Sequence, residues 1–544
     1  MKRILLFLVF LFLGNPFLNG QKKSSSPKLV VGIVIDQMRY DYLYRFNSLY
    51  GEDGFKKLMK DGSNFTFAHF NYIPTYTGPG HASIYTGTTP YFHGIISNNW
   101  YDKKVKSVIY CTSDESYNTV GANNDRGEMS PKRLLSTTIT DQLKLATNKK
   151  SKVISISIKD RAAILPGGHF PDGAYWYNPQ SGGFITSSFY MKQLPGWIKN
   201  FNEKKLADKY MSFEWKLTHS LEKYWVTFPD SEPFEEDLFL ENKTTFPHSF
   251  KNIPPKDKRD ILRSTPYGNQ LLYDFAVAAL ENEKLGLGNQ TDFLAVSFSS
   301  TDYIGHSYGP NSVEIEDTYV KLDLLIAMLL DKLNKQVGEG NYILFLTADH
   351  GVAENPEFLH KNNIAGDWVN FRVVSDSLKK FSMRKFNNEN IIEKFSSKQI
   401  FLNYDVINSL NLTIVDVRRE YAEYLIKTFP FIAQTITRDD LILNVADRNS
   451  SNFILNGFNP LRSGDVVLEL QPGYIPGSSS NRHVTHGSSY SYDTHVPLLF
   501  YGWNIPGQTI NKPVYTVDIA PTIADLLNIT EPSGNMGIPL IKSK

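Results

Sequence analysis

Leu29-Val30-Val31-Gly32-Ile33-Val34-Ile35 forms an unbroken apolar run that stops at Asp36. A β-branched run ending abruptly in an acid predicts a strand buried on both faces, with a polar group at its carboxyl end. The pattern recurs. Residues 293–298 are apolar apart from Ser297 and lead to Asp302, residues 342–346 lead to Thr347-Ala348-Asp349-His350-Gly351, and residues 496–501 follow closely on His486. Between them, residues 313–333 place Leu322, Leu325, Ile326, Leu329 and Leu330 at helical spacing, and residues 518–527 read as a short amphipathic helix. The alternation predicts an α/β sandwich over a mostly parallel sheet. Sites in such sheets lie at the carboxyl ends of strands, so Asp36, Asp302, Asp349 and His350 are expected on one rim.

Two stretches fit the alternation poorly. Residues from about 100 to 290 are rich in aromatics, Gly, Pro and Lys, and residues from about 352 to 480 are polar and mixed. Both read as large insertions in one domain spanning 21–544. The chain is 41% hydrophobic and 13% aromatic, as a globular protein is. With 57 basic against 56 acidic residues, bulk charge gives no reason to expect nucleic acid or an anionic membrane. At the N-terminus, Lys2 and Arg3 precede ten apolar residues, 4–13, broken by Gly14-Asn15-Pro16. This reads as a signal peptide over residues 1–20, too short in its apolar part to span a bilayer comfortably. A periplasmic or secreted protein with no membrane anchor after signal removal is expected. Cys111, the single cysteine, cannot form an intramolecular disulfide and reads as a packed small residue.

Candidate chemistry sits where the strands end. Asp302 and His306 are four apart, so one helical turn or a tight loop can aim both at one ion. Asp349 and His350 are adjacent, and a turn permitted by Gly351 can bring both to a metal. Mixed carboxylate and imidazole ligation suits zinc better than magnesium or calcium. Singly, Asp-x-x-x-His is more often a surface pair and Asp-His-Gly more often a turn; the set gains weight because each cluster follows a predicted strand. The loop Ile73-Pro74-Thr75-Tyr76-Thr77-Gly78-Pro79-Gly80-His81 suits a bend into a helix N-terminus, which favours an anion. Thr77 becomes a competent nucleophile only if a metal lowers the pKa of its hydroxyl; otherwise it is a turn residue. Lys159 and Arg161 follow an apolar alternation over residues 153–158. On an extended chain, residues two apart share a face, so the pair is expected to converge on one phosphoryl group. Asn98 offers an amide donor to a phosphoryl oxygen.

Together these motifs resemble the alkaline phosphatase superfamily, specifically the PafA-type alkaline phosphatases exported by flavobacteria. The resemblance rests on Val34-Ile35-Asp36-Gln37-Met38-Arg39, the Thr77 loop, Gly94-Ile95 through Asn98-Asn99-Trp100-Tyr101-Asp102, Tyr110-Cys111-Thr112-Ser113-Asp114-Glu115, Lys159-Asp160-Arg161, Ser300-Thr301-Asp302-Tyr303, Ala348-Asp349-His350-Gly351 and Ser491-Tyr492-Asp493-Thr494-His495-Val496-Pro497. It covers nearly the whole mature chain. It implies an alkaline-phosphatase-like three-layer α/β/α sandwich holding two Zn2+. Asp302, His306 and His486 would bind one ion. Asp36, Asp349 and His350 would bind the other, which also takes the Thr77 oxygen. Asn98, Lys159 and Arg161 would hold the phosphoryl oxygens of a small-molecule phosphate monoester, hydrolysed through a phosphothreonine, and the enzyme is expected to be a monomer. His486 is preferred to the nearby His483 because it directly precedes Gly487, and His81 and His495 are expected to be structural.

The rival within the superfamily is a phosphodiesterase. The related nucleotide pyrophosphatase/phosphodiesterases share the metal ligands and a Thr-x-Pro-x-His loop, met here by Thr77, Pro79 and His81, but lack the Lys159/Arg161 pair. No Cys/Ser-x-Pro-x-Arg motif supports a sulfatase. The rival of another class, an inactive zinc-stabilised binding protein, is opposed by the intact Thr77 and ligand set.

Overall fold

The computed structural model describes residues 26–232, 234–449, 452–478 and 483–542; the expected signal peptide, residues 1–20, lies outside them. In chain order, β1 (Leu29–Ile35), β2 (Ser63–His69), β3 (Thr119–Val120), β4 (Val153–Ser157), β5 (Gly173–Asn178), β6 (Gly183–Ser187), β7 (Asp292–Phe298) and β8 (Tyr342–Thr347) belong to a central sheet. A second sheet follows, made of β9 (Ile392–Ser396), β10 (Gln399–Leu402), β11 (Ile432–Thr437) and β12 (Val466–Leu470). Then β13 (His495–Val496), β14 (Leu498–Gly502) and β15 (Gln508–Tyr515) return to the first. Its order is β13-β2-β14-β8-β1-β7-β4-β5-β6-β3, with β15 beside β2.

The middle of this sheet, β8-β1-β7-β4-β5, is parallel. Antiparallel β14 and β6 flank it. Every residue of β1, β7 and β8 is buried, because helices cover both faces. On one side α3 (Pro266–Asn282), α4 (Ser300–Tyr308) and α5 (Val313–Gln336) pack on one another; on the other, α1 (Thr77–Thr86), α2 (Asp160–Gly167) and the last helix (Ile519–Leu527) do. In α5 the Ser312 hydroxyl caps the Ile315 N–H, and Leu322, Ile326, Leu329 and Leu333 are buried. Each such side chain contributes about 1.5–3 kcal/mol of transfer free energy. Register is what builds the site. Ile35 of β1 pairs with Phe298 of β7, and Val34 pairs with Thr347 of β8. The residues just beyond these strands therefore emerge at one level.

Two expectations about elements change. The apolar run 496–501 is two strands, because Pro497 has no N–H to give a ladder, and β14 runs antiparallel to β8. Residues 100–290 are not one insertion, since β3–β6 lie in the central sheet. Ser155 and Ser157 interrupt the apolar run of β4, which hides it from a search for continuous buried strands.

A lobe with a sheet of its own lies within residues 371–470. Its sheet, β9-β10-β12-β11, is antiparallel throughout and packs on helices Phe371–Phe386 and Ile414–Thr428. It has a core of its own around Val374, Leu378, Ile400, Tyr421 and Leu468. The β9–β10 turn has positive φ at Ser397 and Lys398. It reaches the rim of the main sheet, where Ser397 donates to the Asn99 carbonyl at 2.9 Å and Lys398 donates to the Gly487 carbonyl at 2.6 Å.

Candidate active site

Asp36 follows β1 directly, and its N–H donates to the Phe298 carbonyl. Gln37 turns the chain with φ of 66°. Its N–H donates to Asp349 Oδ1 at 3.2 Å and its side-chain amide to Asp302 Oδ1 at 2.8 Å, so one residue ties the three acids together. Asp302 lies in the first turn of α4 and His306 one turn later, with His306 Nε2 3.2 Å from Asp302 Oδ1. His486 Nε2 is 3.7 Å from the same oxygen. His350 Nε2 lies 3.5 Å from both Asp36 Oδ1 and Asp349 Oδ2. The His350 and His486 rings stack with centroids 3.5 Å apart.

Thr77 opens α1, after extended Tyr76. Its hydroxyl is 3.4 Å from His350 Nε2 and 3.4 Å from Arg161 Nη2. Gly80, one turn into α1, lets the helix touch the strand end, since a Cβ there would run into the Asp349 carbonyl. Asn98 Oδ1 accepts the Gly78 N–H at 2.7 Å, which fixes the carboxamide beside the helix N-terminus and leaves its NH2 as a donor. Arg161 Nη1 donates to Tyr110 Oη at 3.0 Å, and that hydroxyl donates in turn to Asp160.

Electrostatics set the two ends of the cluster apart. Burial pushes Asp349 up to about 6. Asp36 stands well above the usual carboxylate range through burial and then the charge of Asp349. Asp302 is also buried, but His306 and Lys159 hold it well below that range. Burial lowers His350 to about 4, and burial with His350 and His306 nearby lowers His486 further below its ordinary value, so both imidazoles are neutral at pH 7.

The residues fit metal ions. Donor atoms of Asp36, Asp349 and His350 all lie within 4.8 Å of one another, as do those of Asp302, His350 and His486. Neither oxygen of Asp36, nor Oδ2 of Asp349, accepts a hydrogen bond among the described residues. Each imidazole turns Nε2 toward the acids by placing Nδ1 on a backbone carbonyl: His306 on Val484, His350 on Gly351 and His486 on Thr75. That bond fixes the tautomer a metal ligand needs.

A profile of the family described as type I phosphodiesterase / nucleotide pyrophosphatase matches residues 30–490. The chain belongs to this family. A Myroides odoratus protein named calcium-transporting ATPase is 42% identical over 524 residues, covering 96% of this chain and 95% of that one. Alkaline phosphatase PhoV of Synechococcus elongatus is 42% identical over 544 residues, 95% of each. Alkaline phosphatase PafA of Elizabethkingia meningoseptica is 40% identical over 528 residues, 96% of each. The crystal structure of wild-type PafA superposes with a TM-score of 0.91, covering 95% of this chain and 99% of that one. The chain is an enzyme of this alkaline phosphatase branch, with its mixed, mostly parallel sheet between helical layers. Among the described residues no helix is long and apolar enough to cross a membrane.

The geometry revises parts of the sequence reading. His350 stands in both donor groups, whereas His306 lies outside the compact Asp302/His350/His486 set and approaches through Asp302. Lys159 and Arg161 do not share an extended face. Lys159 precedes α2 and Arg161 lies in its first turn, so the side chains separate. Lys159 Nζ sits 2.7 Å from Asp36 Oδ2 and 2.5 Å from Asp302 Oδ2, between the acids, while Arg161 points to Thr77. His483 pairs with Glu236 at 2.8 Å. His81 is buried against Ser297 and the Thr77 carbonyl, His495 stacks on Tyr40, and Cys111 is buried. Gln37 and Tyr110 were not singled out from the sequence. Gln37 stands between Asp36 and a turn and Tyr110 opens the motif of residues 110–115, but neither residue type signals its hydrogen bonds to the acids or to Arg161.

Proposed function

We propose that the protein is an exported, zinc-dependent phosphomonoesterase with Thr77 as nucleophile. The observation that carries this is the Thr77 hydroxyl at a helix N-terminus, with His350 on one side and Arg161 on the other, above two groups of metal donors. The likeness to PhoV and PafA supports the monoester reading. Asp36, Asp349 and His350 would hold one ion, with Thr77, and Asp302, His306 and His486 the other. Zinc suits this imidazole–carboxylate set. When bound, the pair supplies Lewis acidity toward the reacting oxygens.

The remaining work falls to the chain. Thr77 Oγ attacks phosphorus, forming a P–O bond as the ester oxygen leaves with a proton. Water then attacks the phosphothreonine, and the Thr77 hydroxyl is restored. The Asn98 NH2 and the Arg161 guanidinium donate to phosphoryl oxygens, and Lys159 adds positive charge from beneath. A monoester dianion gives these groups more charge to hold than a diester does. The test is acid quenching during turnover of a phosphate monoester, followed by peptide mapping. Phosphate on Thr77 is expected; phosphate on Thr75, or none on any residue, would overturn the assignment.

A further inference from the structure

Beside Lys159 and Arg161 lies a cavity of about 430 Å³, walled in part by Trp176, Tyr177 and Tyr303. Four cationic side chains line it, Arg126, Lys159, Arg161 and Arg263, against two carboxylates, Asp125 and Asp160. Most of this charge has partners. Lys159 is held by Asp36 and Asp302, Arg263 by Asp260 and Tyr303, and Asp160 by Tyr110 and the Arg161 N–H. The guanidinium of Arg126 has no hydrogen bond or ion pair among the described residues, although its carbonyl accepts the Trp176 indole N–H at 3.0 Å. Past Arg263 and Tyr303 a second hollow of about 500 Å³ extends to His306, so the body of a substrate has room on both sides of Tyr303.

With the other cations of the cleft paired, its one unpaired cation among the described residues is the exposed guanidinium of Arg126 beside aromatic walls, and such an arginine matches a phosphate bidentately. We propose that this cavity is a second anion subsite, with Arg126 as its specificity-determining residue. The preferred substrates are then phosphate monoesters whose leaving group carries a second phosphate. This rests on the monoesterase reading above.

The experiment compares kcat/KM of the zinc-loaded enzyme for glucose 6-phosphate and glucose 1,6-bisphosphate at low and high salt. The bisphosphate is expected to be favoured about tenfold at low salt, the advantage shrinking as salt screens it. Arg126→Ala should lower the bisphosphate value about tenfold, roughly one lost arginine–phosphate contact, and leave the monophosphate value unchanged. Asp125→Asn should raise the bisphosphate value. Equal values for the two substrates, or an equal effect of Arg126→Ala on both, would overturn the subsite. Loss of turnover on both substrates beside intact diester hydrolysis would instead overturn the monoester reading.

Discussion

The two ends of the acidic centre balance their charge differently. Asp302 has partners on every side: the Gln37 amide, Lys159, and the imidazoles of His306 and His486. Asp36 and Asp349, on the Thr77 side, face each other with three oxygens that accept no hydrogen bond, and Asp36 has Lys159 as its cation. One end is largely neutralised by the protein itself. The other is left for an external cation, and it is the end beside the Thr77 hydroxyl. Charge balance therefore points to where metal is needed most.

The largest effects test that contrast in protein stripped of metal by chelation. Asp302→Asn removes the carboxylate that pairs with His306 and one of the two that hold buried Lys159, and it should destabilise the fold by about 3–5 kcal/mol. Asp36→Asn removes a strained negative charge and should be neutral or stabilising in thermal melts, while lowering zinc uptake by mass spectrometry. Equal destabilisation by both variants would erase the contrast. Next, Arg161→Ala should cost about 10²–10³-fold in kcat/KM on a monoester, as loss of one donor to a developing anion does, and markedly less on a diester. Tyr110→Phe, which only frees Arg161 to drift, should cost about tenfold with zinc content unchanged; wild-type rates would show that Arg161 is held without it.

A control away from the centre comes last. Glu235 is buried, and burial with Glu314 and Asp230 nearby pushes it from 4.5 to about 9. Its folded pKa is raised, so the folded protein keeps a proton that the unfolded chain has lost. Stability contributed by the protonated form should fall as pH rises from about 4.5 toward 9. Glu235→Gln should flatten that slope in denaturant titrations. An unchanged slope would assign it to another group.

Sequence made the rim legible because β1, β7 and β8 are buried on both faces and so are written as apolar runs. Asp36, Asp302 and Asp349 stand where those runs stop, and strand register does the rest. The helical reading of Asp302 and His306 holds for the same reason: four residues make one turn. Illegible were features set by rotation and long-range packing. Whether Lys159 and Arg161 share a face depends on where α2 begins. That His350 serves two donor groups depends on its stacking against His486, 136 residues away by the numbering of the two rings. The turn of Ser397 and Lys398, which braces the Asn99 and Gly487 carbonyls, comes from a lobe whose polar sequence gave no sign of contact with the centre.

The central claim is best tested by the ratio of kcat/KM for p-nitrophenyl phosphate and bis-p-nitrophenyl phosphate on zinc-loaded enzyme at mildly alkaline pH. Strong preference for the monoester, falling sharply in Arg161→Ala, is the predicted result. Preference for the diester would contradict the account and place the protein among the phosphodiesterases of its family, with the same metals and nucleophile.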